Sequence, residues 1–259
     1  MRLPFVKYNG TGNDFIVIDN RKNIFSSLNK NQISNLCNRN FGIGADGIIL
    51  IQDDEDSDFN VIYYNSDGNI GTFCGNGSRC AVHYSKLIGM LNHEPKFKFH
   101  DEIYTAEVNE NLVSIHFPNI KNWQIKDDNI FINTGSPHHV LFKEDIGFID
   151  VDILGKKLCE NSIFTLEHTN VNFVSINSEK SISVRTYERG VNAETLSCGT
   201  GVVASVLSSD INNYISNKEI LVKTKGGDII VSFNKKNEYY ENIIMSGKVQ
   251  NVYSGIINL

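Results

Sequence analysis

The chain carries FCGNGSRCAVHYSKLIG from Phe73 to Gly89 and SCGTGVVASVL from Ser197 to Leu207. Each is Cys-Gly-x-Gly followed by an apolar segment, one in each half of 259 residues that hold only five cysteines. The flanks repeat as well. Tyr64-Asn65 precedes Cys74 by nine residues counted from the asparagine, and Tyr187-Glu188-Arg189 precedes Cys198 by nine counted from the arginine. Two copies do not make a solenoid. They point to two α+β halves of one plan, with a site in the cleft between related domains.

The strand and helix signals follow that plan. Phe15 to Ile18, Ile48 to Ile51 and Phe59 to Tyr64 read as strands, and strand-like runs extend from Phe97 to Phe117. In the second half, Val140 to Phe142, Val171 to Ile176, Ile182 to Tyr187, Ile220 to Val222 and Ile229 to Phe233 read the same way. Gln32 to Asn38 is a short helix candidate. After Cys74 the period changes: Cys80, Ala81, Tyr84, Leu87 and Ile88 fall on one helical face, and Gly89 stops the helix. The valines after Cys198 suit a strand or a helix. The helix reading there rests on analogy with the first half.

Several other features carry no chemistry. GIGADG, Gly42 to Gly47, matches the dinucleotide fingerprint, but it precedes an apolar strand instead of opening a helix, so nucleotide binding is rejected. Its glycines suit a tight turn. The acidic run from Asp53 to Asp58 reads as a solvated loop. Cys74 with Cys80 lacks zinc spacing and His138-His139 alone is no metal site, so no metal is expected. Cys37, Cys80 and Cys159 read as small buried hydrophobes. A net charge of -6 with scattered basic residues argues against nucleic-acid binding. No apolar run is long enough for a bilayer, and MRLPFVKYNGTGNDFIVIDN has no export pattern. The expectation is a cytoplasmic protein with reduced thiols.

A cysteine that starts a helix meets the positive end of the dipole, which favours thiolate. The glycines admit a ligand close to the backbone, and the N–H groups of the first turn form a carboxylate site. Two such motifs across a cleft would hold one small carboxylate with a sulfur on each side of its α-carbon. One thiolate removes the α-proton, and the opposite thiol returns one to the other face.

The sequence resembles the diaminopimelate epimerases nearly end to end. The resemblance is carried by NGTGNDFIVID, GIGADG, YYNSDG, FCGNGSRC, TGSPHHV, TNVNFV, YERG, SCGTG and the closing SGKVQNVYSGIINL. It implies an α+β fold of two pseudo-symmetric domains, each a barrel-like β-sheet around a central helix, divided as 1–117 plus 248–259 and 118–247. It implies cofactor-independent conversion of LL- to meso-2,6-diaminopimelate, for lysine and peptidoglycan precursors, by a homodimer. Cys74 and Cys198 match the catalytic pair. Gly75, Asn76, Gly199 and Thr200 match the backbone carboxylate binders, and Asn13 a substrate-contacting asparagine. Asn65 and Asn170 match side chains at the non-reacting centre. Arg189 matches a clamp on the distal carboxylate. Glu188 is matched to an ammonium contact that also tunes a sulfur, His138 to a group that tunes the other thiol, and Tyr253 to the dimer interface. Gly47 stands where some members carry glutamine, and Ser136 where some carry asparagine.

Three other readings stay open on the sequence. One is a racemase of another amino acid, such as histidine, on the same scaffold. A second is a hydrolase with a cysteine nucleophile and His138 as base. The third is a redox switch that joins Cys74 to Cys198. Neither of the last two explains both Cys-Gly-x-Gly motifs together with the polar residues at Asn65, Asn170 and Arg189.

Overall fold

The structure is a computed structural model, and it describes residues 2–91, 94–165 and 168–258. By backbone contacts the chain divides into two compact units, Met1–Ile115 with Gly247–Leu259, and His116–Ser246.

The first unit begins with the hairpin of β1 (Arg2–Gly10) and β2 (Asn13–Asp19). Gly10 pairs Asn13 across a two-residue turn, and Thr11 and Gly12 both take positive φ, 53° and 92°. That is the turn whose twist matches paired strands. α1 (Lys30–Cys37) starts two residues before the expected Gln32, because Asn29 and Gln32 form a capping box. β3 (Gly47–Gln52) runs parallel to β2, and β4 (Phe59–Asn65) antiparallel to β3. α2 (Gly75–Leu87) follows, then β5 (Lys96–Phe99), β6 (Glu102–Asn109) and β7 (Leu112–Phe117).

The second unit contains β8 (Trp123–Lys126), β9 (Asn129–Asn133), β10 (Pro137–Phe142), α3 (Val151–Glu160), β11 (Asn170–Ser178) and β12 (Ser181–Glu188). It continues through β13 (Ala193–Thr195), α4 (Gly199–Ile211), β14 (Glu219–Thr224) and β15 (Gly227–Lys236). The last strand, β16 (Tyr239–Asn258), starts in this unit and ends in the first.

In the first unit the order β1-β2-β3-β4-β5-β6-β7-β16 closes on itself, since β16 also pairs β1 from Gly10↔Val249 to Arg2↔Asn258. A closed ring leaves no edge to cover. In the second unit the order is β16-β15-β14-β12-β11-β10-β9-β8, and an Ile120↔Tyr240 bridge ties its ends.

The two sheets share one pattern of directions. β2 with β3, β4 with β5, β10 with β11 and β12 with β14 are parallel. The intervening pairs β3–β4, β5–β6, β11–β12 and β14–β15 are antiparallel. A crossover helix, α1 or α3, precedes the second strand of the first parallel pair. The Cys-Gly-x-Gly helix precedes the second strand of the next pair. The two-fold repeat in sequence is therefore a repeat in topology.

Each sheet wraps a helix. α2 packs on β1, β2, β3, β4 and β6, and α4 on β9 to β12, β14 and β15. The single apolar stripe expected for α2 is a correction. Every residue from Gly75 to His83 is buried, whereas Leu87 is 59 % exposed. A helix enclosed by a sheet is buried on all sides, and only its last turn leaves the barrel. α4 is likewise buried from Gly199 to Asp210. Its serines tolerate this by bonding backwards within the helix, Ser205 to the Gly201 carbonyl and Ser209 to that of Ser205. Ile48 to Ile51 form a continuous apolar run because β3 is covered on both faces, by the α1 cluster on one and α2 on the other.

Candidate active site

Cys74 and Cys198 are the N-caps of α2 and α4. Their backbones are nearly superposable in angle, φ -120°, ψ 105° at Cys74 and φ -118°, ψ 112° at Cys198. Each carbonyl accepts the first helical bond at 2.8 Å, from Ser78 and Val202. Gly75, Asn76, Gly199 and Thr200, all buried, thus form the first turns, whose N–H groups have no acceptor within the helix. Gly42 to Gly47 form a turn into β3, with Gly44 at φ 78°, and open no helix.

The two sulfurs are used differently. Cys74 Sγ accepts from Gly77 N–H at 3.3 Å, whereas Cys198 Sγ makes no such cap and lies 3.5 Å from Thr200 Oγ1. A Cβ at Gly77 would stand 3.1 Å from Ile49 Cδ1 and 3.4 Å from the Cys74 sulfur.

Thr200 belongs to a buried chain. Its hydroxyl lies 2.9 Å from His138 Nε2, and His138 Nδ1 lies 2.8 Å from Asn172 Oδ1. Asn172 Nδ2 donates to Thr186 Oγ1, so the amide oxygen faces the imidazole. The hydrogen therefore sits on Nδ1, and Nε2 accepts from Thr200. The same Thr200 hydroxyl lies 3.5 Å from the Cys198 sulfur. Burial holds His138 down to about 4, with Arg189 as a further cause, so the imidazole stays neutral near pH 7. His138 was expected to tune a thiol; its hydrogen bond to Thr200 links it to Cys198.

Asn170 is buried and commits both ends of its amide. Its oxygen accepts from Arg189 N–H at 2.9 Å, and its Nδ2 donates to Ser136 Oγ at 3.0 Å. Ser136 thus orients Asn170. Arg189 is half-buried, and its Nη1 donates to the His168 carbonyl. Glu188 Oε1 accepts from Thr195 at 2.6 Å. Asn65 is half-buried at the end of β4. Gly47 faces Tyr63: a Cβ there would lie 2.4 Å from both Tyr63 Cε2 and the Tyr64 carbonyl. A Cβ at Gly71 would meet the same ring at 2.4 Å, so Tyr63 occupies the space a side chain at Gly47 would need. Tyr253 is 46 % exposed and rests edge-on against Phe5.

Asn13 Nδ2 donates to Asp46, and its oxygen accepts from Asn76 Nδ2 at 2.5 Å. Asn76 in turn accepts from Arg79 at 2.9 Å. Sequence reasoning passed over Asn172, Thr195, Asp46 and Arg79. Asn172 had a signal, since it lies two residues from Asn170 on the same face of β11.

The other three thiols, Cys37, Cys80 and Cys159, are buried. Burial pushes Cys37 up to about 12 and raises Cys80 and Cys159. Among the described residues no group of three or more His, Cys, Asp or Glu has metal-site geometry, and no helix is long and apolar enough to cross a membrane.

The profile of the diaminopimelate epimerase family matches residues 5–114 and 130–252. The chain belongs to the diaminopimelate epimerase family. Diaminopimelate epimerase of Flavobacterium psychrophilum is 42 % identical over 256 residues, 98 % of this chain and 100 % of the relative. The diaminopimelate epimerase of Chlorobaculum tepidum is 39 % identical, over 96 % of this chain and 99 % of its own. Among solved structures, a PhzF-family phenazine biosynthesis protein of Bacillus anthracis matches with TM-score 0.74 over 100 % of both chains, at 12 % identity. A hydroxyproline epimerase of Agrobacterium vitis with bound trans-4-hydroxy-L-proline matches with TM-score 0.71, over 100 % of this chain and 93 % of its own, at 11 % identity. At such identities these two share the fold alone. As a diaminopimelate epimerase family member the chain is an amino-acid epimerase, an isomerase.

Proposed function

We propose that the chain converts LL- to meso-2,6-diaminopimelate, with Cys74 and Cys198 acting as base and acid on opposite faces of one α-carbon. The observation that carries this reading is the repeated cap: a thiol at the N-terminus of an enclosed helix, twice, with the same backbone angles. The N–H groups of Gly75, Asn76, Gly199 and Thr200 receive the reacting carboxylate and stabilise charge as it develops there. The pattern of sulfur bonds supports unequal roles. Cys74 accepts the Gly77 N–H, and Cys198 lies against the Thr200 hydroxyl, so the two sulfurs are held by different partners.

Asn65, Asn170 and Arg189 hold the distal amino acid end, Glu188 meets an ammonium group, and Asn13 contacts the substrate. No cofactor enters the scheme. The product serves lysine and peptidoglycan synthesis in the cytoplasm, and the enzyme works as a homodimer with Tyr253 at its interface.

Turnover in D2O tests the two-base scheme. At low conversion the inverted product should be almost fully deuterated at the reacting carbon, because the second sulfur delivers solvent hydrogen. Recovered substrate should stay almost unlabelled, because the first sulfur returns its own hydrogen. Product that keeps the original hydrogen, from either the LL or the meso isomer, would refute it.

The relay behind Cys198 has its own test. Thr200→Val removes the hydroxyl between His138 and the sulfur while keeping the backbone N–H. It should lower kcat by about 10-fold, the worth of one lost buried hydrogen bond in the transition state. Thr200→Ser should retain most activity. Equal losses in the two variants would assign the effect to packing.

A further inference from the structure

The hairpin of β12 and β13 carries two residues of the scheme above. Glu188 ends β12, Arg189 opens the connecting loop, and β13 stops three residues before Cys198. The loop turns through Gly190 at φ 87° and Asn192 at φ 59°, and Asn192 N–H donates to the Glu188 carbonyl at 2.8 Å. Register sets Thr186 opposite Thr195, Tyr187 opposite Glu194 and Glu188 opposite Ala193. Side chains alternate across a strand. Thr186, Glu188 and Thr195 therefore share one face of the hairpin, and Arg185, Tyr187 and Glu194 share the other.

The second face is an anchor. Arg185 bonds both carboxylate oxygens of Glu194, at 2.7 and 2.8 Å, and Lys225 donates to one of them at 2.7 Å. Arg185 also donates to the carbonyls of Ile146 and Ile149, and Glu194 N–H donates to Asp152 of α3 at 2.6 Å. Tyr187 lies so near α3 that a Cβ added at Gly155 would stand 2.4 Å from the Tyr187 Cβ. The hairpin is thus tied to α3 and to the loop before it. The first face carries the polar groups of the site. Thr186 Oγ1 accepts from Asn172, which links it to His138 and Thr200. Thr195 Oγ1 donates to Glu188 Oε1 at 2.6 Å, a diagonal cross-strand contact.

We propose that Thr195 is a positioning residue for the reaction: its hydroxyl aims the Glu188 carboxylate at an ammonium group of the substrate. The inference rests on the reading that Glu188 meets such a group. A glutamate side chain has several rotatable bonds, and ordering it during binding weakens affinity. A short bond from a hydroxyl to a carboxylate is charge-assisted, and here it fixes one oxygen before the substrate arrives. Backbone pairing and the Glu194 anchor hold the hairpin without this hydroxyl. The consequence of the bond therefore falls on Glu188 and not on the strand that carries it.

The test is a double-mutant cycle of Thr195→Val with Glu188→Gln, read as kcat/KM for LL-2,6-diaminopimelate. Thr195→Val keeps the shape and removes the hydroxyl, and should lower kcat/KM by at least about 10-fold, the worth of a hydrogen bond to a charged group. Thr195→Ser, which restores the hydroxyl, should return to within about 3-fold of the unmodified enzyme. In the Glu188→Gln background, Thr195→Val should cost less than about 2-fold more, because the two residues act through one contact. Equal losses in the two backgrounds, equal losses in Thr195→Val and Thr195→Ser, or no loss in Thr195→Val overturn the proposal. Circular dichroism checks folding, and Thr195→Ala takes the place of Thr195→Val should the latter fail to fold. Calorimetric binding of LL-2,6-diaminopimelate to the Cys198→Ala enzyme repeats the cycle without turnover. A coupled loss of affinity there would keep the role of Thr195 even if the deuterium test removed the two-base scheme. A Glu188→Gln enzyme with unchanged kcat/KM and affinity would remove the ammonium contact itself, and the proposal with it.

Discussion

Cys74→Ala and Cys198→Ala should each lower kcat by about a thousand-fold, the scale of losing a general acid or base. Inversion needs a proton removed from one face and another supplied to the opposite face, so either half alone is insufficient. The double variant should be little worse than either single one, because the two groups act in one step. Cys159→Ala is the control: its thiol belongs to the apolar cluster of Val171, Phe173 and Tyr187, and activity should persist. The measurement is the rate of isomer interconversion at saturating substrate, with folding checked by circular dichroism. Near-normal turnover in either active-site variant would remove that cysteine from the chemistry.

Gly201→Ala should impair the enzyme by a different route. Its Cβ would stand 2.4 Å from Asn172 Nδ2, 3.2 Å from His138 Cε1 and 3.2 Å from Cys198 Cβ. Asn172 cannot simply swing away, since it is buried and bonded to His138 at one end and Thr186 at the other. Overpacking of this kind costs about 1 to 3 kcal/mol of stability. It also displaces the imidazole that holds Thr200. A shift of that order at a reacting group costs roughly 100-fold in rate. Urea unfolding should report the first effect and kcat the second. A Gly201→Ala enzyme with normal kcat would mean that the Asn172–His138–Thr200 chain does not position Cys198. The same substitution in the first half, Gly77→Ala, meets the flexible end of Ile49 at 3.1 Å and should be milder.

Much of the fold was legible because its signals are local. The apolar run Phe15 to Ile18 marks a strand, and it lies within β2. The run at Ile48 to Ile51 marks a strand covered on both faces. The Cys-Gly-x-Gly repeat marks two helix starts with the same cap, and the two caps agree in φ to 2° and in ψ to 7° by subtraction (-120° against -118°, 105° against 112°). The helix after Cys198 was legible only by analogy, because Val202, Val203 and Val206 satisfy either period.

What the sequence by itself determined was the twofold plan, the family resemblance and the residues able to carry chemistry, since these depend on residue type and spacing. Tertiary structure decided how those residues are held. The stripe expected on α2 became burial on all sides, because a closed sheet surrounds the helix and periodicity cannot report an enclosure built by distant strands. Arg79 looks like an ordinary polar residue of a helix in SRCAV. It becomes a buried cation only when the Thr11 turn, Asn76 and Gly247 meet around it, from positions far apart in the chain. Thr200, His138 and Asn172 lie in three separate motifs, and parallel pairing of β10 with β11 sets His138 opposite Asn170, two residues from Asn172. Strand pairing and ring closure join residues that sequence order keeps apart, so the surroundings of each thiol exist only in the folded chain.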